Sequence, residues 1–376
     1  MAENKDKKVL NVPNIRFPEF KDEWVECKIS DILSIGNGCD YRHLDNGNIP
    51  VFGTGGCITS VNEYLYNGET TFIGRKGTIN KPFYYDGKFW TVDTLFYTHS
   101  FIDVTPKFVF CLFQTINWLR YNEASGVPSL SKDTIEKIKI KRPRQSEQKK
   151  ITNLLFVLDE RIATQNKIIE ELECLKKEIT KRLFSQKANK YNRLDSLFIK
   201  GKAGGTPTST NKEYYNGNIP FLSINDITTQ GKYIYNTEKY ITQMGLDNSS
   251  AWIVPKGCLI ISMYASVGLV AINCIPVSTS QAMFAIQLKD ENLIDYLYYY
   301  LSYFRYRHIH KYLETGTQSN INADIVRSIL IPDYGYDMNI KIANSIKSID
   351  DKIKNEVFIK EQYTLQKQHL LRHMFI

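Results

Sequence analysis

Phe52-Gly53-Thr54-Gly55-Gly56 has the spacing of a glycine loop that holds S-adenosylmethionine. Such a loop must leave a strand, open a helix and be followed by an acidic residue on the next strand, so that backbone N–H groups face the cofactor. Cys57-Ile58-Thr59-Ser60 follows instead, a run that reads as strand or loop, so no cofactor is expected here. Methyl transfer to an exocyclic amine also calls for an Asp/Asn-Pro-Pro-aromatic motif, and the sequence contains no Pro-Pro pair. Metal-dependent hydrolysis needs carboxylates and a lysine gathered around magnesium. Pro18-Glu19 with Glu26-Cys27-Lys28 comes nearest, but is crowded into few residues beside the N-terminus, and Pro332-Asp333 lacks an acidic-x-Lys partner. No Gly-x-x-x-x-Gly-Lys-Ser/Thr phosphate loop exists. His308 and His310 alternate in a Tyr-rich stretch without acidic or cysteine neighbours, and read as surface or core residues. The expectation is a chain with no catalytic residues, no metal and no cofactor of its own.

The elements that would carry any other activity are set by length and composition. At 376 residues, two domains of about 150 residues are the natural division. Hydrophobic residues at 43% suffice for packed cores, and 23% charged residues argue against wholesale disorder. A net charge of +8 and a pI near 8.9 favour an anionic partner. The 7 cysteines are scattered singly, which argues against a disulfide framework or a Cys-based zinc site. Residues 1–11 are polar and lysine-rich, expected to be flexible. With no signal peptide and no run of 18 apolar residues, a soluble cytoplasmic protein without a membrane span is expected.

The chain repeats itself. A shift of 191 residues lays Ile151 to Phe184 on Ile342 to Phe375 without a gap. The identities include Asp159 with Asp350, Lys176 with Lys367 and Phe184 with Phe375, and upstream Asp133 with Asp324 and Ile140 with Ile331. A shorter match at a shift of 170 pairs Asn46-Gly47-Asn48-Ile49-Pro50 with Asn216-Gly217-Asn218-Ile219-Pro220. In the first long segment the apolar positions Ile151, Leu155, Leu158, Ile162, Ile169, Leu172, Ile179 and Leu183 recur at threes and fours, a helical seam. The second segment keeps Ile342, Ile346, Ile349 and Ile353 in register. Both seams break at the same points, at Gln165 with Glu356 and at Lys176 with Lys367. The fold class is therefore α+β: two mixed, strand-rich domains in tandem, each followed by a long helix, the two helices packing as an antiparallel coiled coil within an internal pseudo-two-fold repeat. The expected boundaries are 12–145 and 187–334 for the domains, and 146–186 and 335–376 for the helices.

The order domain, long helix, domain, long helix resembles the specificity (S) subunit of type I restriction-modification systems. So do Val12-Pro13-Asn14-Ile15-Arg16-Phe17-Pro18-Glu19-Phe20 with Trp24, the phrase Gly126 to Lys141, and Ser146-Glu147-Gln148-Lys149-Lys150-Ile151. The likeness runs from about Val12 to Ile376. One departure is Pro332-Asp333-Tyr334-Gly335-Tyr336-Asp337-Met338-Asn339, where a Pro-Leu-x-Glu-Gln lead into the second helix is expected. The resemblance implies two target recognition domains, each reading one half of a bipartite, asymmetric site in double-stranded DNA. It also implies helices that dock two methylation (M) subunits, which carry S-adenosylmethionine and methylate adenine N6. Leu155, Leu158, Ile162, Ile169, Leu172, Ile346, Ile349 and Ile353 are the helix positions expected to serve that docking. Two restriction (R) subunits with ATP and magnesium would complete the complex. The rivals are the recognition subunit of another restriction-modification class, a fragment of a fused methyltransferase, and a coiled-coil adaptor or scaffold.

Base-edge contacts specify a DNA sequence, whereas phosphate contacts position the protein. In the first domain the candidate reader is the run Gly74, Arg75, Lys76, Gly77, Thr78, Ile79, Asn80 and Lys81 after a strand. Its glycines permit close backbone approach, and Arg75 or Lys76 suits guanine or phosphate, with a solvated basic hairpin as the bland reading. Trp90 and Asp93 follow on the next strand, Trp90 equally readable as core. The loop in the same order in the second domain holds Ser262, Tyr264 and Ser266, followed by Gln281, a residue type that reads adenine bidentately. On the Tyr-rich helix, Arg305, Arg307 and Lys311 are candidate phosphate contacts.

Overall fold

The structure, a computed structural model, describes residues 11–311 and 320–376, without the side chain of Lys311. The expected flexible segment up to residue 10 and the loop Gly316-Thr317-Gln318-Ser319 lie outside the described residues. The chain divides into two compact units, residues 1–167 with 357–376 and residues 168–356. Each unit therefore takes half of both long helices, where the sequence had placed whole helices after whole domains.

In the first unit the strands are β1 (Val25–Lys28), β2 (Ser34–Asn37), β3 (Asn46–Gly53), β4 (Gly56–Val61), β5 (Tyr66–Gly74), β6 (Phe83–Thr91) and β7 (Leu95–His99). Helices α1 (Pro106–Thr115) and α2 (Lys132–Lys137), strand β8 (Lys139–Arg142) and the long helix α3 (Gln145–Phe184) follow. Six strands form one sheet in the order β2-β7-β5-β6-β3-β4, and β1 pairs separately with β8. Phe52-Gly53-Thr54-Gly55-Gly56 turns tightly from β3 into its antiparallel partner β4, so the strand-to-helix geometry of a nucleotide loop is not formed there. The core joins Trp24, Ile29, Phe108, Phe113 and Trp118 to Ile151 and Leu155 of α3 and to Met374 and Phe375.

In the second unit β9 (Lys190–Arg193), β10 (Phe198–Ala203), β11 (Tyr215–Leu222), α4 (Ile224–Gln230), β12 (Tyr233–Ile234), β13 (Lys239–Ile241), α5 (Gln243–Asp247) and β14 (Leu259–Ser262) follow in order. They lead to β15 (Val270–Asn273), β16 (Ser278–Thr279), β17 (Met283–Leu288), α6 (Ile294–Arg307), α7 (Ala323–Ser328), β18 (Leu330–Asp333) and α8 (Tyr336–His373). Five strands run β10-β17-β14-β15-β12, three run β13-β11-β16, and β9 pairs with β18. The Tyr-rich helix α6 supplies Tyr296, Tyr299, Tyr300 and Phe304 to the core, against Phe184, Ile342 and Ile346. The buried tyrosine hydroxyls are satisfied: Tyr296 donates to Pro332 O at 2.6 Å and Tyr300 to Leu330 O at 2.9 Å.

The repeat has a structural counterpart in each unit. The ladder Val25↔Arg142 to Lys28↔Lys139 matches Lys190↔Asp333 to Arg193↔Leu330. Ser131 caps α2 and Asn322 caps α7, each accepting from the backbone N–H three residues on. The five-residue match falls on β3 and β11, both interrupted by a register shift after their first paired residue. A Cβ on Gly47 would lie 2.3 Å from Val61 O, and one on Gly217 2.4 Å from Ile241 O. Glycine is needed at both places because the partner strand's carbonyl occupies the side-chain space.

Candidate nucleic-acid interface

Strand β5 ends where its backbone must turn, and Arg75 and Lys76 leave that end held by other loops. Both N–H groups donate to Thr94 O (2.8 and 3.3 Å), Gly77 N–H donates to Pro128 O (2.8 Å), and Leu130 N–H donates to Arg75 O (2.9 Å). These bonds bring the segment Pro128–Lys132 against the hairpin and shape a hollow of about 280 Å³. Arg75, Lys76, Lys132, Asn37, Ser129 and Glu123 are among its lining residues. The Arg75 guanidinium reaches Asp93 O at 3.4 Å and sits 5.9 Å over the Phe96 ring centroid, a cation–π contact. Hydrogen bonds from Thr134 and Ser131 hold the Glu123 carboxyl below the usual carboxylate range and fix it at the edge of the hollow. The hollow therefore offers several charged donors and one fixed acceptor, a combination suited to phosphate and base edges.

Of the expected first-domain residues, Lys76, Thr78, Asn80, Lys81 and Asp93 are exposed, while Gly74 is buried with Thr78 O 2.2 Å from where its Cβ would stand. Trp90 is a correction: it is 8% exposed, packs with Val51 and Val61, and spends its indole N–H on Cys39 O at 3.0 Å. Lys132, Asn37 and Ser129 were missed. Ser129 and Lys132 lie within Gly126 to Lys141, the stretch that carries the family resemblance, whereas Asn37 at the end of β2 has no local sequence signal.

In the second unit the β14–β15 turn exposes Tyr264, Ala265 and Ser266, with Ala265 at φ 57°. Met263 N–H donates to Ala282 O (2.7 Å), which brings this tip beside the exposed Gln281. Ser262 is a second correction. It is fully buried, its hydroxyl donating to Ser266 O at 2.5 Å and accepting from Leu269 N–H at 2.9 Å, so it shapes the turn and has no free face. Arg305 donates to Val267 O (3.0 Å) and ties α6 to the same turn. Arg307 is exposed and lines a groove of about 590 Å³ with Tyr306, Lys177 and Lys181. Lys177 lies 5.2 Å over the Tyr306 ring. The Lys311 side chain lies outside the described residues.

The helix positions expected to dock partners are corrected in part. Leu155, Leu158, Ile169 and Ile346 are buried and Ile162, Leu172, Ile349 and Ile353 half-buried, so this seam is largely taken up by packing within the chain. Exposed apolar side chains on the same helices include Val157, Leu175, Met338, Phe358 and Leu365. In the first unit Lys367 meets Asp159 at 2.6 Å and Arg161 stacks over Tyr363, so α3 and α8 run antiparallel there. In the second, Lys176 meets Asp350 at 2.5 Å.

The family model for the type I restriction modification DNA specificity domain matches the chain twice, over residues 21–174 and 187–362. The chain belongs to that family. Its relatives include the type I restriction enzyme MjaIX specificity subunit of Methanocaldococcus jannaschii, 31% identical over 159 residues, 41% of this chain and 36% of that one. The stretch matched there is thus little over a third of the relative's length. The MjaVIII specificity subunit of the same organism is 23% identical over 81% of this chain and 75% of its own. In fold, the chain is similar to the type I S subunit from M. genitalium, with a TM-score of 0.66 and 15% identity over 97% of this chain and 99% of that one. A chain from a structure of type I restriction-modification complex assembly gives a TM-score of 0.59 at 13% identity, covering 93% and 96%. The two matched specificity domains follow one another along the chain, with the long helices α3 and α8. Among the described residues no group of three or more His, Cys, Asp or Glu is placed to hold a metal, and no helix is long and apolar enough to cross a membrane.

Proposed function

We propose that this specificity subunit is the DNA-reading part of a type I restriction-modification complex, each recognition domain reading one half of a bipartite, asymmetric site. The observation that carries this reading is the contrast between the two copies. The helix ion pairs, the β1–β8 and β9–β18 ladders and the capped α2 and α7 are alike. The exposed tips differ: Arg75 and Lys76 with Lys132 in one, Tyr264 and Ser266 beside Gln281 in the other. Like frameworks suit one kind of partner docking twice; unlike tips suit two different half-sites.

On this reading the long helices set the spacer between half-sites and dock two M subunits, which supply S-adenosylmethionine for methylation of adenine N6. The two R subunits bring ATP and magnesium, and the assembly works in the cytoplasm. A helix of about 39 residues is about 58 Å long, against about 34 Å for one turn of duplex, a reach that suits separated half-sites. The test is to purify the chain with its M subunit and titrate it against specific and scrambled duplexes at rising salt. Specific binding that exceeds non-specific by about 10³ or more at physiological salt is expected. Equal affinity for all duplexes, or no binding with M present, would overturn the reading and favour a scaffold.

A further inference from the structure

The ion pairs Lys367–Asp159 and Lys176–Asp350 each have a third member, supplied by the recognition domain of the same unit. In the first unit Lys367 Nζ donates to Asp159 Oδ1 (2.6 Å) and also to Gln114 Oε1 (2.9 Å) in the last turn of α1. In the second unit Asp350 takes Lys176 on one oxygen and accepts from Tyr299 Oη on the other (2.8 Å), from the middle of α6. There the chain of contacts continues. Tyr299 Oη accepts from Lys232 Nζ (3.1 Å), Lys232 pairs with Asp295 at 2.7 Å, and Asp295 takes Lys347 of α8 at 3.0 Å. Lys232 lies 4.2 Å over the Tyr299 ring and 4.7 Å over that of Tyr298, with 9% of its side chain exposed.

Apolar packing between α1 or α6 and the long helices is non-directional and tolerates small slips. A hydrogen bond onto a half-buried ion pair does not, because a slip leaves charge unsatisfied in a poorly solvated place. We propose that Gln114 and Tyr299 are positioning residues that fix the angle of each recognition domain on its own stretch of the helices, and thereby the tolerance of the reader for spacer length. This rests on the DNA-reading function proposed above. Tyr299 sits in the longer network, so its loss should matter more than that of Gln114.

The experiment uses the full chain with its M subunits and a DNA library carrying the methylated motif with the spacer varied by one base pair either way. The wild-type complex should methylate one spacer strongly. Tyr299→Phe should raise methylation at a neighbouring spacer, relative to the native one, by about ten-fold, as expected from losing one hydrogen bond to a charged group. The bases preferred within each half-site should stay the same. Gln114→Leu should relax the spacer less, and Gln114→Glu, which keeps an acceptor for Lys367, should behave as wild type. That trio of outcomes would not follow from simple loss of stability, which lowers methylation at all spacers alike. An unchanged spacer ratio in Tyr299→Phe and Gln114→Leu, or a uniform loss that Gln114→Glu shares, overturns the proposal. Should Tyr299→Phe not fold, the two Gln114 variants decide alone. A wild-type complex that methylates no bipartite motif at all overturns the DNA-reading function, and the positioning role falls with it.

Discussion

Lys367 closes on Asp159 at 2.6 Å, and the residues 191 positions away from each, Lys176 and Asp350, close on one another at 2.5 Å. Each copy of the repeat thus donates its lysine to the other copy's aspartate. An antiparallel pairing of two equivalent helices has this consequence, because it brings the late part of one helix beside the early part of the other.

The reciprocity makes a charge swap informative. Lys367→Asp should destabilise the protein by about 2 kcal/mol, since it sets two carboxylates together in a place where Lys367 is largely shielded. Adding Asp159→Lys should recover more than half of that loss, as Gln114 can turn its amide to donate to the new aspartate. Urea unfolding of both variants checks this; a double variant no better than the single would show that the pair contributes nothing directional.

Arg75→Ala should relax base preference in one half-site only. Loss of a bidentate guanine contact costs about 1–3 kcal/mol, roughly five- to 150-fold in discrimination at one position. Methylated-motif sequencing reads it. Uniform weakening at both half-sites would assign Arg75 to phosphate.

Arg16 clamps the N-terminal arm onto α3. Its guanidinium holds both Glu147 oxygens (2.7 and 2.8 Å), Trp24 Nε1 reaches the same carboxylate at 3.4 Å, and Ile15 N–H donates to His373 O at 2.9 Å. Glu147 is almost fully buried, so Arg16→Ala strands a charge and should cost about 3 kcal/mol. Arg16→Ala with Glu147→Gln should cost less than Arg16→Ala alone in the same unfolding assay.

Asp295 gives a pH signature. Burial alone would raise its carboxyl, but the hydrogen bonds from Lys232 and Lys347 outweigh burial and hold it below the usual carboxylate range. A depressed folded value means its contribution is present above the unfolded value near 3.9 and is lost as pH falls through the folded one. Asp295→Asn should therefore lower stability at neutral pH and show a shallower decline below about pH 4. A parallel offset at every pH would contradict this.

The sequence showed the repeat, and the structure explains why it was legible there. Ile151, Leu155, Ile342 and Ile346 sit on helices whose period is local, and a shared packing role kept them in one register. Gly47 and Gly217 matched because a partner-strand carbonyl, Val61 O in one and Ile241 O in the other, crowds each. Lys176 and Lys367 read as breaks in an apolar seam because their aspartates lie on the other helix, and no local pattern pairs residues that far apart. Ser262 misled for a related reason. A loop serine is expected outside, but this hydroxyl turns inward to satisfy backbone groups of its own turn. The parallel pairings Val51↔Trp90 and Phe221↔Ser278, which bury Trp90 and shape both recognition domains, join distant segments and left no periodic trace.

Co-expression with its M subunit in a host free of adenine methylation, followed by single-molecule methylome sequencing, tests the central claim most directly. N6-methyladenine confined to one bipartite, asymmetric motif with a fixed spacer is the predicted result. Methylation in a continuous motif, or none above background while the M subunit co-purifies with this chain, would contradict it.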